Sequence, residues 1–257
     1  KDYTFVSYDA AEAAKVVVVY AVDTMILPET QILVVDKVSE VVDNGKTLTK
    51  IYGFQSGAEV SAIVTEEGID VTGRDGKAIV VGKKDEKDVY MQAEDLETGD
   101  AIIFSLDADG KFDKIQLLMG KAEAETLMAD TSKLTVNGNY GDDEDTWDMF
   151  GFAAKRNNGK LMLTDTKENW ADVTKREESF LKDADSYDFE LAVAANGVNV
   201  YEVALGGSET TVETIKASNI IVGVTKVDYD CHWAYVRMYD GEVVDVVVYR
   251  TTNEEAK

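Results

Sequence analysis

A short set of segments occurs twice along this chain, in the same order each time. Each copy contains an Asn-Gly pair, then a ten-residue stretch that aligns without a gap, then an Asp-Gly pair that leads into apolar residues. The matched segments are residues 44–49 and 158–164, residues 94–103 and 213–222, and residues 109–115 and 240–246. Three matches in one order indicate a duplicated module, which confines the chain to two copies of one fold.

Strand patterns dominate both copies. Short runs of Val, Ile, Thr and Tyr are separated by Gly, Asn and Asp, as in antiparallel hairpins. Asn44-Gly45, Asp109-Gly110 and Asp240-Gly241 predict type I′ turns, because both central residues of such a turn need positive φ.

Register tests the second of these turns. A two-residue loop at Asp109-Gly110 places Phe104 opposite Ile115 and Ile102 opposite Leu117, which makes one face of the hairpin apolar. It also places Ser105 opposite Lys114 and Asp107 opposite Phe112. A shift of this register would mix apolar and polar residues on both faces.

The sequence therefore predicts an all-β, mainly antiparallel fold, made of two tandem small β-barrel or β-sandwich modules with short helical connectors. Residues 121–129 are rich in helix formers but short. The predicted divisions are an N-terminal segment at 1–30, module 1 at 31–122, an acidic connector at 123–147 and module 2 at 148–257.

The N-terminal segment allows two interpretations. Residues 15–20 resemble residues 245–249, which close module 2. Residues 1–30 are thus either the end of a preceding module or a segment without a counterpart. Because the chain opens on Lys1 and not on Met, we expect a processed product or an excerpt of a longer protein.

Charge narrows the range of partners. The 257-residue chain has 50 acidic residues against 26 lysines and arginines, a formal net charge of −24. Such a surface repels nucleic acid and anionic lipid and attracts cations. The longest apolar run, residues 16–20, has the length of a buried strand, so we expect no membrane insertion and no nucleic-acid binding.

The densest acidic segment lies between the two modules. Asp142, Asp143, Asp145 and Asp148 belong to a run of five carboxylates within seven positions. A hard cation that takes several oxygens would relieve their repulsion, which makes them candidate calcium ligands. The other interpretation is a solvated acidic linker.

An aromatic row provides candidate binding residues. Trp233, Tyr235, Arg237 and Tyr239 alternate along one predicted strand and share a face. Aromatic rows of this kind stack on sugars or on partner proteins. Across the Asp240-Gly241 turn, however, the same face pairs with Val244, Val246 and Val248, which favours a core or a contact between modules.

No catalytic constellation is visible in the sequence. His232 and Cys231 are the only histidine and the only cysteine, and as neighbours on a strand they point to opposite faces. A zinc site or a catalytic pair needs further ligands or mutual reach, so we expect both to be chemically idle. A pair of carboxylates at glycosidase spacing stays open as an alternative, although nothing in the sequence marks one pair as buried or as having a raised pKa. We expect that the protein is not an enzyme.

Residues 96–115 resemble a pattern found in cell-surface proteins that carry surface-layer-homology domains. In this chain the pattern reads Leu-x-x-Gly-Asp-x-Ile-x-Phe-x-Leu-x-x-Asp-Gly-Lys-x-x-x-Ile. These are exported wall-associated proteins of anaerobic Gram-positive bacteria, and they contain tandem acidic β-modules with closing strands similar to residues 241–249. The anchoring domain itself is not visible in this sequence. The resemblance implies an extracellular, cell-surface structural or adhesive role, and it implies no catalytic residue.

Three functions follow as hypotheses. The first is a non-catalytic structural protein of the surface layer or wall, which assembles with itself or with other surface proteins. The second is a binding module of the adhesin type for a wall glycan, a host glycan or a host protein. The third is a glycan-processing enzyme with an unrecognised carboxylate pair. The only cofactor that we expect for any of them is calcium.

Calcium at millimolar concentration is expected to raise the thermal unfolding temperature or to promote association, because divalent cations can bridge carboxylates that otherwise repel. Sodium chloride at matched ionic strength should do less, since it screens charge without bridging it. Thermal unfolding and light scattering with calcium, chelator or sodium chloride measure the difference. An equal effect of the two salts would contradict bridging. A calcium effect that survives Asp142→Asn, Asp143→Asn and Asp145→Asn would place the cation elsewhere.

Overall fold

The protein is described by a computed structural model in which most of the described residues lie in strands and one α-helix, α1 (Lys121–Ala129), is present. Within this part of the chain, no helix combines the length and the apolar character that spanning a bilayer requires. The described residues are 3–5, 19–21, 31–65, 68–129, 136–138, 146–157, 160–164, 186–190, 198–206, 209–223, 225, 228–239 and 242–252.

Residues 33–119 supply a six-stranded sheet, which we call sheet 1. Its strands are β3 (Leu33–Asp43), β4 (Lys46–Gln55), β5 (Ala58–Ile63), β6 (Val71–Thr72), β9 (Ala101–Leu106) and β10 (Phe112–Met119). The strand order is β5-β4-β3-β9-β10-β6, antiparallel throughout except for the parallel pair β10–β6. A separate two-stranded hairpin, β7 (Val80–Lys84) and β8 (Lys87–Tyr90), is inserted between β6 and β9.

Residues 136–252 supply an eight-stranded sheet, which we call sheet 2. Its strands are β11 (Val136–Gly138), β12 (Thr146–Asn157), β13 (Lys160–Thr164), β14 (Ser186–Glu190), β15 (Asn199–Ala204), β16 (Thr211–Ile215), β17 (Asp230–Tyr239) and β18 (Glu242–Thr252). The strand order is β14-β13-β12-β17-β18-β15-β16, with β11 paired to β12. Near the N-terminus, β1 (Tyr3–Phe5) pairs with β2 (Val19–Ala21) in a sheet of their own.

The two sheets repeat one topology. The path β5-β4-β3-β9-β10-β6 in sheet 1 corresponds to β14-β13-β12-β17-β18-β15 in sheet 2, with the last pair parallel in both. Bulges lie at matching places: β3 bulges after Val35 and β12 after Ala153, while β10 and β18 bulge just after their hairpins. The registers then equate Ala101 with Trp233 and Lys114 with Asp245. The module boundaries themselves stay a prediction.

The ten-residue match between residues 94–103 and 213–222 is wrong in its offset. Glu94 lies in a 3-10 turn (Ala93–Asp95), whereas Glu213 lies in β16. The counterpart of that turn is a second 3-10 turn (Ala217–Asn219), five positions further along. Gly99 N–H donates to the carbonyl of Val35 at 2.7 Å, and Gly223 N–H donates to the equivalent carbonyl of Ala153 at 2.9 Å. The shared motif is therefore Ala-x-Asp/Asn-Leu/Ile-x-x-Gly.

The predicted turns have different outcomes. Asn44 and Gly45 both have positive φ, 50° and 79°, so the type I′ prediction is confirmed there. At the β9–β10 hairpin only Gly110 has positive φ, and Leu106 pairs with Phe112 across a wider loop. The predicted Asp107–Phe112 pair is thus wrong. The bulge at Asp113 restores the register beyond it, so the other three predicted pairs of this hairpin are confirmed. Asp240-Gly241 lies outside the described residues.

Buried apolar side chains of the described residues form three clusters. One lies in sheet 1 around Leu33 and Ile102, and one lies in sheet 2 around Val236 and Val248. The third, which we call the shared core, contains buried residues from both sheets. Helix α1 forms at the residues whose composition favoured a helix, and Ala124 is buried in the shared core.

Equivalent positions of the two sheets meet in the shared core with side chains of different size. Sheet 1 supplies small or aliphatic residues where sheet 2 supplies aromatic ones. The equivalent pairs are Ile32 and Phe150, Val34 and Phe152, and Ala101 and Trp233. The aromatic rings contact one another: Trp233 lies 5.9 Å from Phe150 and 5.6 Å from Phe152, centroid to centroid. The two copies have thus diverged into complementary halves of one core.

We expect Trp233→Ala to lower the free energy of unfolding by about 3–5 kcal/mol, the usual cost of removing a large buried aromatic side chain. Val42→Ala is the control, because Val42 is 77% exposed, and it should change stability by less than about 0.5 kcal/mol. Urea unfolding measures both variants. Similar values for the two would contradict the assignment of Trp233 to the shared core.

Candidate functional site

Three charged residues form a buried row across neighbouring strands of sheet 2. Asp148 on β12 lies directly opposite Arg237 on β17, and Arg237 lies directly opposite Asp245 on β18. Asp148 is 1% exposed, Arg237 6% and Asp245 0%. Burying a charge is costly unless an opposite charge and hydrogen bonds compensate, and the strand register places the guanidinium between the two carboxylates.

Asp245 connects this row to sheet 1. Its Oδ2 accepts a hydrogen bond of 3.0 Å from the backbone N–H of Ile32, the residue that precedes β3. Burial raises the pKa of Asp245 to about 6, although the Ile32 N–H, the charge of Arg237 and a hydrogen bond with Asn199 each oppose that rise. Part of the joint between the sheets therefore depends on one buried carboxylate.

Asp148 completes the other end of the row. Its Oδ2 accepts a hydrogen bond from the hydroxyl of Tyr235, which is also buried. Burial and then the Asp148 charge raise the pKa of Tyr235 well above its ordinary value, so the phenol stays protonated and donates. Tyr249 acts similarly across the joint, where its hydroxyl donates to the carbonyl of Gly99 at 3.1 Å.

The predicted calcium ligands are only partly described. Asp142, Asp143 and Asp145 lie outside the described residues, and their role stays a prediction. Asp148 is described, and its carboxylate belongs to the buried row with Arg237 and Tyr235. Among the residues that the structure describes, no group of three or more His, Cys, Asp or Glu side chains could hold a metal ion.

The aromatic row is internal where the structure describes it. Trp233 and Tyr235 are each 1% exposed and lie in the shared core. Neither ring presents a face to a glycan or a partner protein, so the module-contact interpretation agrees with their placement and the surface interpretation does not. Tyr239 ends β17, and its side chain lies outside the described part.

Cys231 and His232 contribute to different layers, as neighbours on a strand should. Cys231 lies in the shared core, and its Sγ donates to the carbonyl of Thr251 at 3.5 Å. On the other side of the sheet, Nδ1 of His232 accepts the backbone N–H of Ile221 at 2.9 Å, while Nε2 lies 2.9 Å from Oε2 of Glu202. The buried ring thus carries its proton on Nε2 and donates it to Glu202.

Glu202 links that ring to a third group. Its Oε1 lies 3.3 Å from Nε of Arg250, on the neighbouring strand. The hydrogen bond from His232, more than the charge of Arg250, lowers the pKa of Glu202. The carboxylate is therefore ionised at neutral pH and fixed by two donors.

The repeat explains why a polar residue is buried at position 232. The register equates His232 with Asp100 of sheet 1. Asp100 accepts the backbone N–H of Glu97 at 2.8 Å, and the corrected alignment equates Glu97 with Ile221. Both residues thus hold the segment that follows a 3-10 turn, by the same hydrogen bond. Asp100 also accepts the N–H of Lys121, at the start of α1.

Two open grooves lie on the described surface. One, of about 840 Å³, runs between the sheets and is lined by five carboxylates together with Lys37 and Lys121. Those carboxylates belong to Asp36, Glu40, Glu94, Glu97 and Glu209. The other, of about 410 Å³, lies on sheet 1 and is called here the sheet 1 groove. It is lined by Asp70, Thr72, Ile103, Ser105, Lys114 and Gln116, together with Ile69, Gly76, Phe104, Asp113 and Ile115.

No family model, curated protein sequence or solved structure matches this chain.

One sequence feature indicates the buried row. Asp245 interrupts a run of valines in a strand whose apolar character predicts burial on both faces. A lone acid in such a strand must be paired. A two-residue turn would set Arg237 opposite Val244, and this predicted register is wrong, because a bulge at Val244 brings Arg237 opposite Asp245. Asp148 could not be found in this way, because nothing in the sequence shows that β12 pairs with β17.

The raised pKa of Asp245 determines how stability depends on pH. Between its ordinary pKa of 3.8 and about 6 the folded protein binds more proton than the unfolded chain, so ionising Asp245 reduces the free energy of unfolding as pH rises. Two pH units correspond to about 3 kcal/mol. We expect Asp245→Asn, which retains an acceptor oxygen for Ile32, to gain stability relative to the wild type by about that amount between pH 4 and pH 7.

Urea unfolding at a series of pH values measures the difference between variant and wild type. Glu125→Gln, an exposed change on α1, should show no such slope. Parallel curves for Asp245→Asn and the wild type would contradict the raised pKa of Asp245.

Proposed function

We propose that the chain is a non-catalytic structural protein of the bacterial cell surface, a spacer or assembly module of the surface layer or wall. The observation that carries the proposal is the way its two copies are joined. Two sheets of one topology share an aromatic core, and the buried row of charges in sheet 2 accepts a backbone hydrogen bond from the residue that leads into sheet 1, so the repeat forms one stiff unit. A stiff, repeated unit is typical of a protein with a structural role, such as a spacer.

The unusual side chains support the same proposal. Asp148, Arg237 and Asp245 pair with one another or with the backbone of the other sheet. His232 and Glu202 fix a loop on the outer side of sheet 2. Each of these groups thus makes contacts that stabilise the fold. The acidic surface and the motifs at residues 96–115 support an exported, wall-associated location.

A protein-binding role is the second candidate, and one observation favours it. The hairpin β7–β8 is exposed along its whole length, and only the six residues 205–210 separate β15 from β16 in sheet 2. Val80, Val81, Val89 and Tyr90 are between 39% and 55% exposed on it. Clustered apolar side chains on an otherwise acidic surface are typical of a site that another protein covers.

Labelling of intact cells tests the location. A membrane-impermeant amine reagent should modify this protein without lysis, because Lys83, Lys84 and Lys87 are exposed on the β7–β8 hairpin. A cytosolic protein of the same cells is the control and should stay unlabelled until lysis. Modification of this protein only after lysis would contradict a surface location.

A further inference from the structure

One end of the joint between the sheets is closed by two short pieces of sheet 1 that bind each other. The first is residues 31–32, which precede β3, and the second is residues 55–57, which connect β4 to β5. Gln55 Nε2 donates to the carbonyl of Gln31 at 3.2 Å, and the hydroxyl of Ser56 donates to Oε1 of Gln31. We call these two pieces together the latch.

The latch contacts sheet 2 through two backbone N–H groups. The N–H of Ile32 donates to Oδ2 of Asp245 at 3.0 Å, and the N–H of Gly57 donates to the hydroxyl of Tyr201 at 3.4 Å. Because Asp245 and Ile32 both have 0% exposure, the latch keeps water from the carboxylate while it is closed.

Comparison of the two copies shows that this buried carboxylate belongs to the joint. The residue of sheet 1 that is equivalent to Asp245 is Lys114, and Lys114 is exposed. The two sheets have the same topology around these positions. The repeated fold therefore does not need a buried acid here, and the burial of Asp245 follows from the contact with the latch.

Few groups compensate the charge of Asp245. In the described part of the chain, the titratable groups that face it are Arg237, directly opposite on β17, and Tyr201 on β15. Arg237 also lies opposite Asp148 on β12, so one guanidinium serves two carboxylates. Burial, and then the charge of Asp245, raises the pKa of Tyr201, so its hydroxyl stays protonated. The five residues of the latch have no titratable side chain.

The hydrogen bonds of Asp245 favour its protonated form. Oδ2 accepts the N–H of Ile32, whereas Oδ1 is buried and accepts no hydrogen bond from the residues that the structure describes. A buried, ionised oxygen without a donor is costly, and a neutral carboxyl reduces that cost. The pKa of Asp245, which burial raises to about 6, agrees with this geometry.

We propose that Asp245 is a proton-controlled switch at the joint: the latch stays closed on the protonated carboxyl and opens locally when the carboxylate is ionised. Opening gives the carboxylate water in place of one N–H donor, while the shared core keeps the two sheets together. This inference rests on the proposed function only for its setting, since it makes the stiffness of the spacer depend on the pH outside the cell.

Hydrogen exchange of the Ile32 amide in the full chain, followed by NMR from pH 4 to pH 7, tests the switch. The reference is Asp245→Asn, which retains an acceptor for Ile32 and has no charge. The intrinsic exchange rate of this amide is the same in both proteins at each pH. The pKa of Asp245 is about 6 when the latch is closed and 3.8, its ordinary value, when the latch is open. We therefore expect the ratio of wild-type to variant exchange rates to rise about 50-fold between pH 4 and pH 7.

Tyr201→Phe is the matched control, because it removes the other contact of the latch and leaves Asp245 in place. Loss of one hydrogen bond should speed exchange of the Ile32 amide about fivefold at every pH, without changing its rise with pH. Circular dichroism verifies that both variants are folded. If Asp245→Asn does not fold, wild-type rates divided by the intrinsic exchange rate at each pH give the same response.

Urea separates opening of the latch from unfolding of the whole chain. Low urea should accelerate exchange of the Ala234 amide, in the middle of sheet 2, and hardly change that of Ile32, since local opening exposes little surface. Equal urea dependence of the two amides, or a ratio that stays constant between pH 4 and pH 7, would overturn the switch.

Labelling of intact cells is independent of this result. A labelled protein whose Ile32 amide shows no such pH response would retain the proposed location and lose the switch. A protein found inside cells whose latch opens with pH would do the reverse.

Discussion

The hydrogen bond from the Ile32 N–H to the buried Asp245 carboxylate is the constraint around which the joint between the two sheets is arranged. A charge with no exposure to water is tolerated only where its neighbours are fixed. Arg237 lies opposite it on one side, and Asp148 lies opposite Arg237. Sliding of one sheet over the other would break the bond between the Ile32 N–H and the Asp245 carboxylate, so this bond restricts the joint to one position.

Sequence patterns that extend over a few residues predicted the secondary structure. Alternation of apolar and polar residues gave the strands, the Asn44-Gly45 turn gave a hairpin register, and the composition of residues 121–129 gave the one described α-helix. The predicted register of the β9–β10 hairpin was wrong next to its turn, where one strand has a bulge. Asp113 is an extra residue in β10, so the turn that leads into it is wider than two residues, although the pairs beyond it are as predicted.

The candidate site was harder to predict, because its residues come together only through pairing over long sequence distances. Asp148 and Arg237 are neighbours because β12 pairs with β17, some 90 positions away along the chain. The aromatic row at Trp233 and Tyr235 was visible in the sequence, but whether a face is covered depends on the other sheet. The burial of His232 follows from its equivalence with Asp100, because each side chain accepts the same backbone hydrogen bond in its own copy.

The difference in size across the shared core also restricts how chains can exchange parts. At equivalent positions one copy presents Val34 and Ala101 and the other presents Phe152 and Trp233. Two aliphatic copies placed face to face would leave cavities, and two aromatic copies would collide. Domain swapping between chains can therefore pair the first copy of one molecule only with the second copy of another. The divergence that followed duplication thus makes both copies necessary, since a recombinant chain with either copy repeated would lose its core.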